Sequence, residues 1–295
     1  MNSPLQLQGI YTALVTPFRA GQIDFPALEK LIEEQIAAGV SGVVPVGTTG
    51  ESPTLTHQEH IRVIEQTIKF VRKRIQVIAG TGSNSTQEAI ELTQEAQRKG
   101  ADAVLLVAPY YNKPTQSGLI AHFTAIAKAS PIPQILYSIP SRCGIEIAVE
   151  TVATLARTCP NIIGIKEAGG SVDRVSQLRQ VLSDSFVILS GDDSLTLPFL
   201  SVGARGVISV ASNLIPRELV SLWKAWNEGR ITEAEQWHRK LYPLFRDLFI
   251  ETNPVPIKMA LSRKGWMTPE VRLPLVPMQQ ANYNKLEVTL KMLGL

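Results

Sequence analysis

The chain has 295 residues, of which 44% are hydrophobic and 19% are charged, and its formal net charge at pH 7 is +3. This length and apolar content allow one large hydrophobic core or two smaller ones, and they exclude a collagen-like or intrinsically disordered protein. The basic residues are scattered along the chain, which argues against a nucleic-acid-binding or membrane-surface protein.

The same sequence argues against bound metals and extracellular export. Cys143 and Cys159 are too few for a disulfide framework, and the four histidines form no spacing typical of a metal site. No apolar run approaches the roughly 20 residues of a membrane span, and the N-terminus lacks the layout of a signal peptide. We therefore expect a soluble, cytoplasmic protein that needs no metal or cofactor and binds neither nucleic acid nor membrane.

Short apolar runs that are typical of buried strands alternate with stretches of helical spacing. The predicted strands are 12–16, 42–46, 76–79, 103–108, 134–137, 162–165, 186–189 and 206–210. The predicted helices between them are 26–38, 57–72, 85–99, 118–129, 149–157 and 172–182. This alternation predicts a parallel sheet covered by helices. Eight strand–helix units in about 225 residues fit a closed (β/α)8 TIM barrel better than the alternative, an open doubly wound sheet. No G-x-G-x-x-G motif follows the first strand to support that alternative.

The pattern becomes purely helical after the last predicted strand. Four further helices are predicted, at 218–227, 232–250, 255–263 and 279–293, with breaks at Asn253-Pro254 and Leu273-Pro274. The first of them would complete the barrel as its eighth helix. We therefore predict a catalytic barrel at 1–227 and a C-terminal helical extension at 228–295.

Lys166 stands near the end of the apolar run 162–168, where a charged amine is costly to bury. In a strand, Gly164, Lys166 and Ala168 share one face, so small neighbours leave the amine room to react. Burial lowers the pKa of a lysine and leaves a neutral amine that can form an imine with a carbonyl substrate. Lys166 is therefore a candidate Schiff-base lysine, although a lysine that ends its strand and reaches solvent fits this segment equally well.

Other unusual residues follow the predicted strands, at the end of a barrel where reactive groups gather. The Gly-Thr-Thr-Gly turn at 47–50 offers hydroxyls and backbone N–H groups to a carboxylate or oxyanion, and Tyr137 could relay protons at Lys166. Arg142 could grip a carboxylate. Taken singly, these residues also fit a tight turn, a buried core tyrosine and a surface arginine. Their placement on one rim favours an active site.

Nine motifs, one of them in the C-terminal tail, resemble those of a known protein family. The resemblance extends from about residue 9 to the end of the sequence. They are ALVTPF (13–18), VGTTGES (46–52), IAGTGSN (78–84), APYYNKPTQSGL (108–119), ILYSIPSRCG (135–144), IIGIKEA (162–168), LSGDD (189–193), GVISVASN (206–213) and NPVPIK (253–258). Together they resemble the dihydrodipicolinate synthase family of pyruvate-dependent aldolases. The resemblance implies that Lys166 forms an imine with pyruvate, whose enamine attacks L-aspartate 4-semialdehyde. The product would be 4-hydroxy-tetrahydrodipicolinate, in the first committed step of diaminopimelate and lysine biosynthesis.

The resemblance also implies roles for individual residues. A proton relay would consist of Thr49, Tyr137 and Tyr111, with Tyr111 lent by a neighbouring subunit of a homotetramer built as a dimer of dimers. Thr48 and Thr49 would hold the pyruvate carboxylate and Arg142 would receive the semialdehyde. The pocket would be lined through backbone contacts by Gly191 and Ile208.

A second, regulatory site is implied by the same resemblance. The positions that match an L-lysine site at the dimer interface are Ser52, Pro53, His57, His60, Asn84, Glu88 and Tyr110. Glu88 can accept an ammonium group, while Asn84 and Tyr110 can bind a carboxylate by hydrogen bonds. From the sequence alone, His57 and His60 also fit plain polar positions of an early helical turn. We expect partial feedback inhibition by L-lysine.

Three alternatives remain at this point. N-acetylneuraminate lyase and the 2-keto-3-deoxy-sugar-acid aldolases share the scaffold of this family. Their first loop more often reads Gly-Ser-Thr-Gly-Glu, and they generally lack an arginine at the position of Arg142. Thr48 and Arg142 therefore favour the synthase. Ser138 departs from the family, in which asparagine is common. A non-catalytic barrel that binds a keto acid is the third alternative, and the intact Lys166 argues against it.

Overall fold

A computed structural model describes residues 5–295, and its main sheet is a closed barrel of eight parallel strands. The strands are β1 (Gly9–Ala13), β4 (Gly42–Val44), β5 (Gln76–Gly80), β6 (Ala103–Val107), β7 (Gln134–Ser138), β8 (Ile162–Glu167), β9 (Val187–Ser190) and β10 (Gly206–Ser209). They neighbour one another in the order β1-β10-β9-β8-β7-β6-β5-β4. Each of the eight predicted strands overlaps one of them, so the predicted (β/α)8 TIM barrel is confirmed.

The ten predicted helices are all present, and their ends lie within three residues of the predicted ones. They are α1 (Phe25–Ala38), α2 (His57–Val71), α3 (Thr86–Lys99), α4 (Gln116–Ala129), α6 (Val149–Thr158), α7 (Val172–Val181), α9 (Pro216–Asn227), α10 (Ile231–Asp247), α11 (Val255–Arg263) and α12 (Gln280–Met292). Within 5–295, no helix is both long enough and apolar enough to span a membrane.

Several short elements were not predicted. They are the hairpin of β2 (Phe18–Arg19) and β3 (Gln22–Ile23), the helices α5 (Pro140–Cys143) and α8 (Thr196–Ser201), and the 3-10 turns Ser52–Thr54 and Ala211–Asn213. All of these span six residues or fewer, which is too short for hydrophobic periodicity to show.

Helix ends follow local capping chemistry. The Thr56 hydroxyl accepts a hydrogen bond from the Glu59 N–H, and the Glu59 carboxylate accepts one from the Thr56 N–H, which makes a capping box at the start of α2. Ser85 caps α3 in a similar way, and Gly100 ends it in a left-handed conformation. These capping contacts fix where the two helices begin and where α3 ends.

The first strand begins earlier than predicted. The sequence predicted 12–16, whereas β1 spans Gly9–Ala13 and pairs Tyr11 to Ala13 with β4. The apolar run continues without a polar residue from Ala13 through Val15, so alternation cannot fix where pairing stops. The Val15 N–H instead donates to the Asn213 side chain at 3.2 Å, which takes the chain out of the ladder.

The chain divides into two compact units. Within the described residues, one comprises 5–8 with 77–208, and the other comprises 9–76 with 209–295. The predicted boundary between 1–227 and 228–295 stays a prediction.

Candidate active site

The strands of the first unit bring Lys166 and Tyr137 side by side. Lys166 lies on β8, where its Cα pairs with that of Tyr137 on β7 and with that of Leu189 on β9. The side chain is buried, since Lys166 is only 7% exposed. Its Nζ lies 4.2 Å from the centre of the Tyr137 ring. Lys166 is therefore a buried lysine and does not extend to solvent at the end of its strand.

Burial is the main influence on the Lys166 amine. The pKa of Lys166 is lowered from 10.5 to about 7. Burial is the largest cause, the carboxylate of Asp193 acts in the opposite direction, and the positive charge of Arg142 adds to the lowering. Asp193 is itself buried. At neutral pH a large fraction of this amine is therefore unprotonated, which is the form that attacks a carbonyl carbon.

Gly191 provides the space beside the lysine side chain. A Cβ atom at Gly191 would lie 3.1 Å from the Lys166 Cε and 2.6 Å from the Ala168 Cβ. The Gly191 N–H donates to the Glu167 carbonyl at 2.8 Å, which fixes the backbone there. Gly164 is small for another reason, because a Cβ there would lie 2.7 Å from the Val187 carbonyl oxygen on β9. The room for Lys166 therefore comes from Gly191.

The residues after β8 are held by a buried ion pair. The Arg174 Nε donates to the Glu167 carboxylate at 2.9 Å, and a second guanidinium nitrogen of Arg174 donates to the Ile147 carbonyl. The Glu167 carboxylate also accepts from the Gly169 N–H at 2.7 Å. This arrangement fixes the backbone that directly follows Lys166.

Arg142 lies on the single turn of α5, an element that the sequence did not predict. Pro140 starts this turn, and a proline in the first turn of a helix is the signal that could have identified it. The arginine is exposed, and its charge acts on Lys166. Ile208, on β10, is buried within the same unit.

Tyr111 has an unusual position for an aromatic residue. It is 91% exposed, and its backbone adopts a left-handed conformation with φ of 69°. Such a conformation costs a non-glycine residue about 1–2 kcal/mol. The fold thus holds a large aromatic side chain in solvent at a conformational cost.

The candidate lysine-binding residues of the first unit form a connected cluster. The Asn84 side-chain amide donates to the Tyr110 carbonyl at 3.2 Å, and the Ser83 hydroxyl donates to the Glu88 carboxylate. Burial raises the pKa of the Tyr110 hydroxyl, and the negative charge of Glu88 adds to the effect. The structure therefore places Asn84, Glu88 and Tyr110 close to one another.

The Gly-Thr-Thr-Gly turn belongs to the second unit. Two backbone hydrogen bonds close the turn, from the Gly50 N–H to the Gly47 carbonyl at 3.1 Å and from the Glu51 N–H to the Thr48 carbonyl at 3.1 Å. Thr48 is half-buried and Thr49 is buried. Beyond the turn come the remaining candidates for lysine binding. Ser52 and Pro53 lie in a 3-10 turn, His57 is an exposed residue at the start of α2, and His60 is buried on that helix.

A buried ion pair fixes the end of this turn. The Lys258 Nζ donates to the Glu51 carboxylate and, at 2.8 Å, to the Glu270 carbonyl, while the Arg272 N–H donates to the other Glu51 oxygen at 3.0 Å. Both cations lie over the Phe18 ring, with Lys258 Nζ 4.2 Å and Arg272 Cζ 4.4 Å from the ring centre. Glu51 adopts a left-handed backbone with φ of 54°, which these contacts hold in place.

The sequence interpretation assigned no role to Asp193, Glu51 or Lys258. A signal for Lys258 was nevertheless present, because it stands among apolar residues in Val255–Arg263 just as Lys166 does in β8. A lysine in such a position requires either an ion-pair partner or a function.

We expect the Lys166 amine to titrate near pH 7 and not near 10.5, because it is buried. Competitive acylation across a pH series, read by mass spectrometry of the Lys166 peptide, measures this midpoint. Replacing Arg142 with alanine removes a positive charge and should raise the midpoint, whereas Asp193→Asn should lower it. A midpoint near 10 in the folded protein would contradict the assignment.

The matches to known proteins cover nearly the whole chain. A model of the dihydrodipicolinate synthetase family matches residues 6–293. The 4-hydroxy-tetrahydrodipicolinate synthase of Syntrophus aciditrophicus is 53% identical and covers 98% of this chain and 99% of its own. The solved synthase of Methylacidiphilum fumariolicum is 60% identical, with a TM-score of 0.96 over 97% of this chain and 96% of its own. A dihydrodipicolinate synthase of Cyanidioschyzon merolae, solved with lysine bound, is 41% identical, with a TM-score of 0.95 over 97% and 98% of the two chains. The chain belongs to the dihydrodipicolinate synthetase family.

Proposed function

We propose that the protein condenses pyruvate with L-aspartate 4-semialdehyde to give 4-hydroxy-tetrahydrodipicolinate. The observation that carries this proposal is the buried Lys166 amine, whose pKa of about 7 leaves it reactive at neutral pH, in a chain of this family. The product feeds diaminopimelate and lysine biosynthesis. The free, buried thiols of Cys143 and Cys159 suit a reducing compartment, and we place the enzyme in the cytoplasm.

The reaction begins with attack of the neutral Lys166 amine on C2 of pyruvate. Loss of water gives the imine, and loss of a proton from C3 gives an enamine. The enamine carbon attacks the aldehyde carbon of the semialdehyde and forms the new C–C bond, and the aldehyde oxygen takes up a proton. The amino group of the former semialdehyde then attacks the imine carbon and displaces Lys166, which closes the ring and frees the enzyme.

We assign the proton transfers to Thr49, Tyr137 and Tyr111. The proximity of the Tyr137 ring to the Lys166 Nζ, at 4.2 Å from ring centre to nitrogen, supports the role of Tyr137. Thr48 and Thr49 bind the pyruvate carboxylate in this proposal, and the closed turn at 47–50 supports it because its hydroxyls stay in fixed positions. Gly191 and Ile208 line the pocket.

Arg142 decides the choice of aldehyde in this proposal. Its guanidinium is exposed on α5 and its charge acts at Lys166, and both observations support a role in binding the carboxylate of the second substrate. The N-acetylneuraminate lyases and 2-keto-3-deoxy-sugar-acid aldolases are the competing assignment. A silent keto-acid-binding barrel is a weaker one, because it gives no reason for a buried neutral amine.

We expect pyruvate turnover with L-aspartate 4-semialdehyde and none with N-acetylmannosamine or a simple sugar aldehyde. Arg142→Ala should raise the KM for the semialdehyde at least 10-fold, because the variant loses a charge-assisted contact to its carboxylate. Reduction of the pyruvate imine by borohydride should still label this variant. Steady-state kinetics with each aldehyde measure both effects, and turnover with only a sugar aldehyde would move the protein to the competing assignment.

We further propose that Tyr111 acts in the site of a second subunit, within a homotetramer built as a dimer of dimers. The support is its position, since a side chain that is 91% exposed buries little surface against its own chain, while its left-handed backbone carries a conformational cost. Contact with a partner copy would supply that stabilisation.

Mixed oligomers test this role of Tyr111. Lys166→Ala and Tyr111→Phe should each lose most of their activity alone, by 10-fold or more. After the two variants are mixed and allowed to exchange subunits, activity should return, because one site then has Lys166 from one chain and Tyr111 from the other. Two Tyr111→Phe copies mixed together serve as the control. No recovery despite subunit exchange, or a monomer by ultracentrifugation, would rule out the lent tyrosine.

L-Lysine is proposed as a feedback inhibitor of this enzyme. Its ammonium group would bind at Glu88 and its carboxylate at Asn84 and Tyr110. The Asn84 amide donates to the Tyr110 carbonyl, and Ser83 hydrogen-bonds both the Glu88 carboxylate and the Tyr110 hydroxyl. The other contributors proposed are Ser52, Pro53, His57 and His60. Tyr110 adjoins Tyr111, so occupancy at this cluster would disturb the proton relay.

Glu88→Gln should abolish inhibition by L-lysine and leave turnover in its absence within about 2-fold, because the variant keeps the shape of the side chain and loses the charge that binds the ammonium group. Initial rates across an L-lysine titration measure this, with D-lysine as the control ligand. Equal rates with and without saturating L-lysine in the unmodified protein would contradict the regulatory site.

A further inference from the structure

Thr49 receives a hydrogen bond from a residue more than 200 positions away in the chain. The Asn253 Nδ2 donates to the Thr49 Oγ1 at 3.0 Å, and the two residues are 5% and 3% exposed. A buried side-chain contact of this kind fixes the geometry of both partners, because neither can turn to water instead.

The direction of this hydrogen bond carries chemical information. A side-chain NH2 group is only a donor, so the Thr49 oxygen must be the acceptor in the contact with Asn253. The Thr49 hydroxyl proton therefore points away from Asn253 and is available to another acceptor. We infer that Asn253 is a positioning residue of the reaction, which sets the direction in which Thr49 passes its proton.

Asn253 is itself held in register with the Thr49 turn. It precedes α11, whose Lys258 donates to the Glu51 carboxylate, two residues beyond Thr49. The segment 253–258 and the turn 49–51 thus meet at two points, through Asn253 with Thr49 and through Lys258 with Glu51. The Lys258 ion pair fixes the distance between the two segments. This keeps the Asn253 amide within hydrogen-bonding distance of the Thr49 hydroxyl, whose orientation it sets.

This inference rests on the proposed function only in taking Thr49 as a proton carrier. A threonine whose hydroxyl both accepts from a fixed donor and donates onward has a single orientation, and a relay needs such an orientation to move protons one way. Without the Asn253 side chain, the Thr49 hydroxyl can rotate. With a hydrogen-bond acceptor at position 253, the Thr49 hydroxyl would donate its proton to that acceptor.

The test compares Asn253→Asp with Asn253→Ala. Aspartate has nearly the same shape as asparagine, but its ionised carboxylate only accepts, so it would reverse the direction of the hydrogen bond. The readout is the exchange of pyruvate methyl protons for deuterium, followed by NMR without any aldehyde, since this exchange reports enamine formation alone. We expect the exchange rate to fall at least 10-fold in Asn253→Asp, and by less in Asn253→Ala.

Thr49→Val supplies the background that separates positioning from general damage. This variant keeps the branched shape and lacks the hydroxyl, so Asn253→Asp should have little further effect on its slower exchange. Thermal unfolding and borohydride labelling of Lys166 confirm that each variant folds and still forms the imine.

The outcomes separate this inference from the proposed function. Exchange at the unmodified rate in Asn253→Asp would overturn the role of Asn253, as would an equal loss in the Thr49→Val background. A milder loss in Asn253→Asp than in Asn253→Ala would also overturn it, since it would mean that the proton of Thr49 already points at residue 253. Methyl exchange in the unmodified protein without turnover of L-aspartate 4-semialdehyde would reject the proposed function and leave the Asn253 comparison valid. No exchange in the unmodified protein would reject both.

Discussion

The cost of burying a charged amine is the constraint on which the site depends. An ammonium group taken out of water must gain an ion-pair partner or lose its proton. The protein contains both solutions. Lys258 is buried with Glu51 and the Glu270 carbonyl as partners, and it fixes a turn. Lys166 lies over the face of the Tyr137 ring with its pKa lowered to about 7, and this makes it a reagent.

The parallel strands explain how the reagent is placed. Pairing of β7, β8 and β9 sets Tyr137, Lys166 and Leu189 side by side near the carboxyl ends of their strands. Gly191 then follows β9 and leaves space for the lysine side chain, and the Glu167–Arg174 ion pair fixes the backbone beyond it. The register of the strands and the small size of Gly191 therefore fix the position of the reactive amine. Such a site has its geometry set before the substrate binds.

Much of this arrangement could be predicted from the sequence because its signals are local. The periodicity of apolar residues identified all eight barrel strands and the ten longer helices, and Lys166 stood out among apolar neighbours. The predicted limits of β1 were wrong because an unbroken run of apolar residues does not indicate which of them pair with the next strand. The one-turn helix that presents Arg142 was missed because four residues show no period.

The contacts that sequence reasoning could not supply are those between distant segments. Asn253 and Thr49 are 204 positions apart, and Lys258 and Glu51 are 207 positions apart. No spacing rule links such residues in a single sequence, although the position of Lys258 among apolar residues announced that some partner had to exist. The family motifs identified the same segments without indicating that they touch.

The central claim is that Lys166 forms the imine with pyruvate. The most direct measurement is borohydride reduction of the protein in the presence of pyruvate at pH 7, followed by peptide mapping by mass spectrometry. The account predicts one stable adduct per chain, carried by the peptide that contains Lys166 and absent from Lys166→Ala. An unlabelled Lys166 peptide, or an adduct that persists in Lys166→Ala, would contradict it.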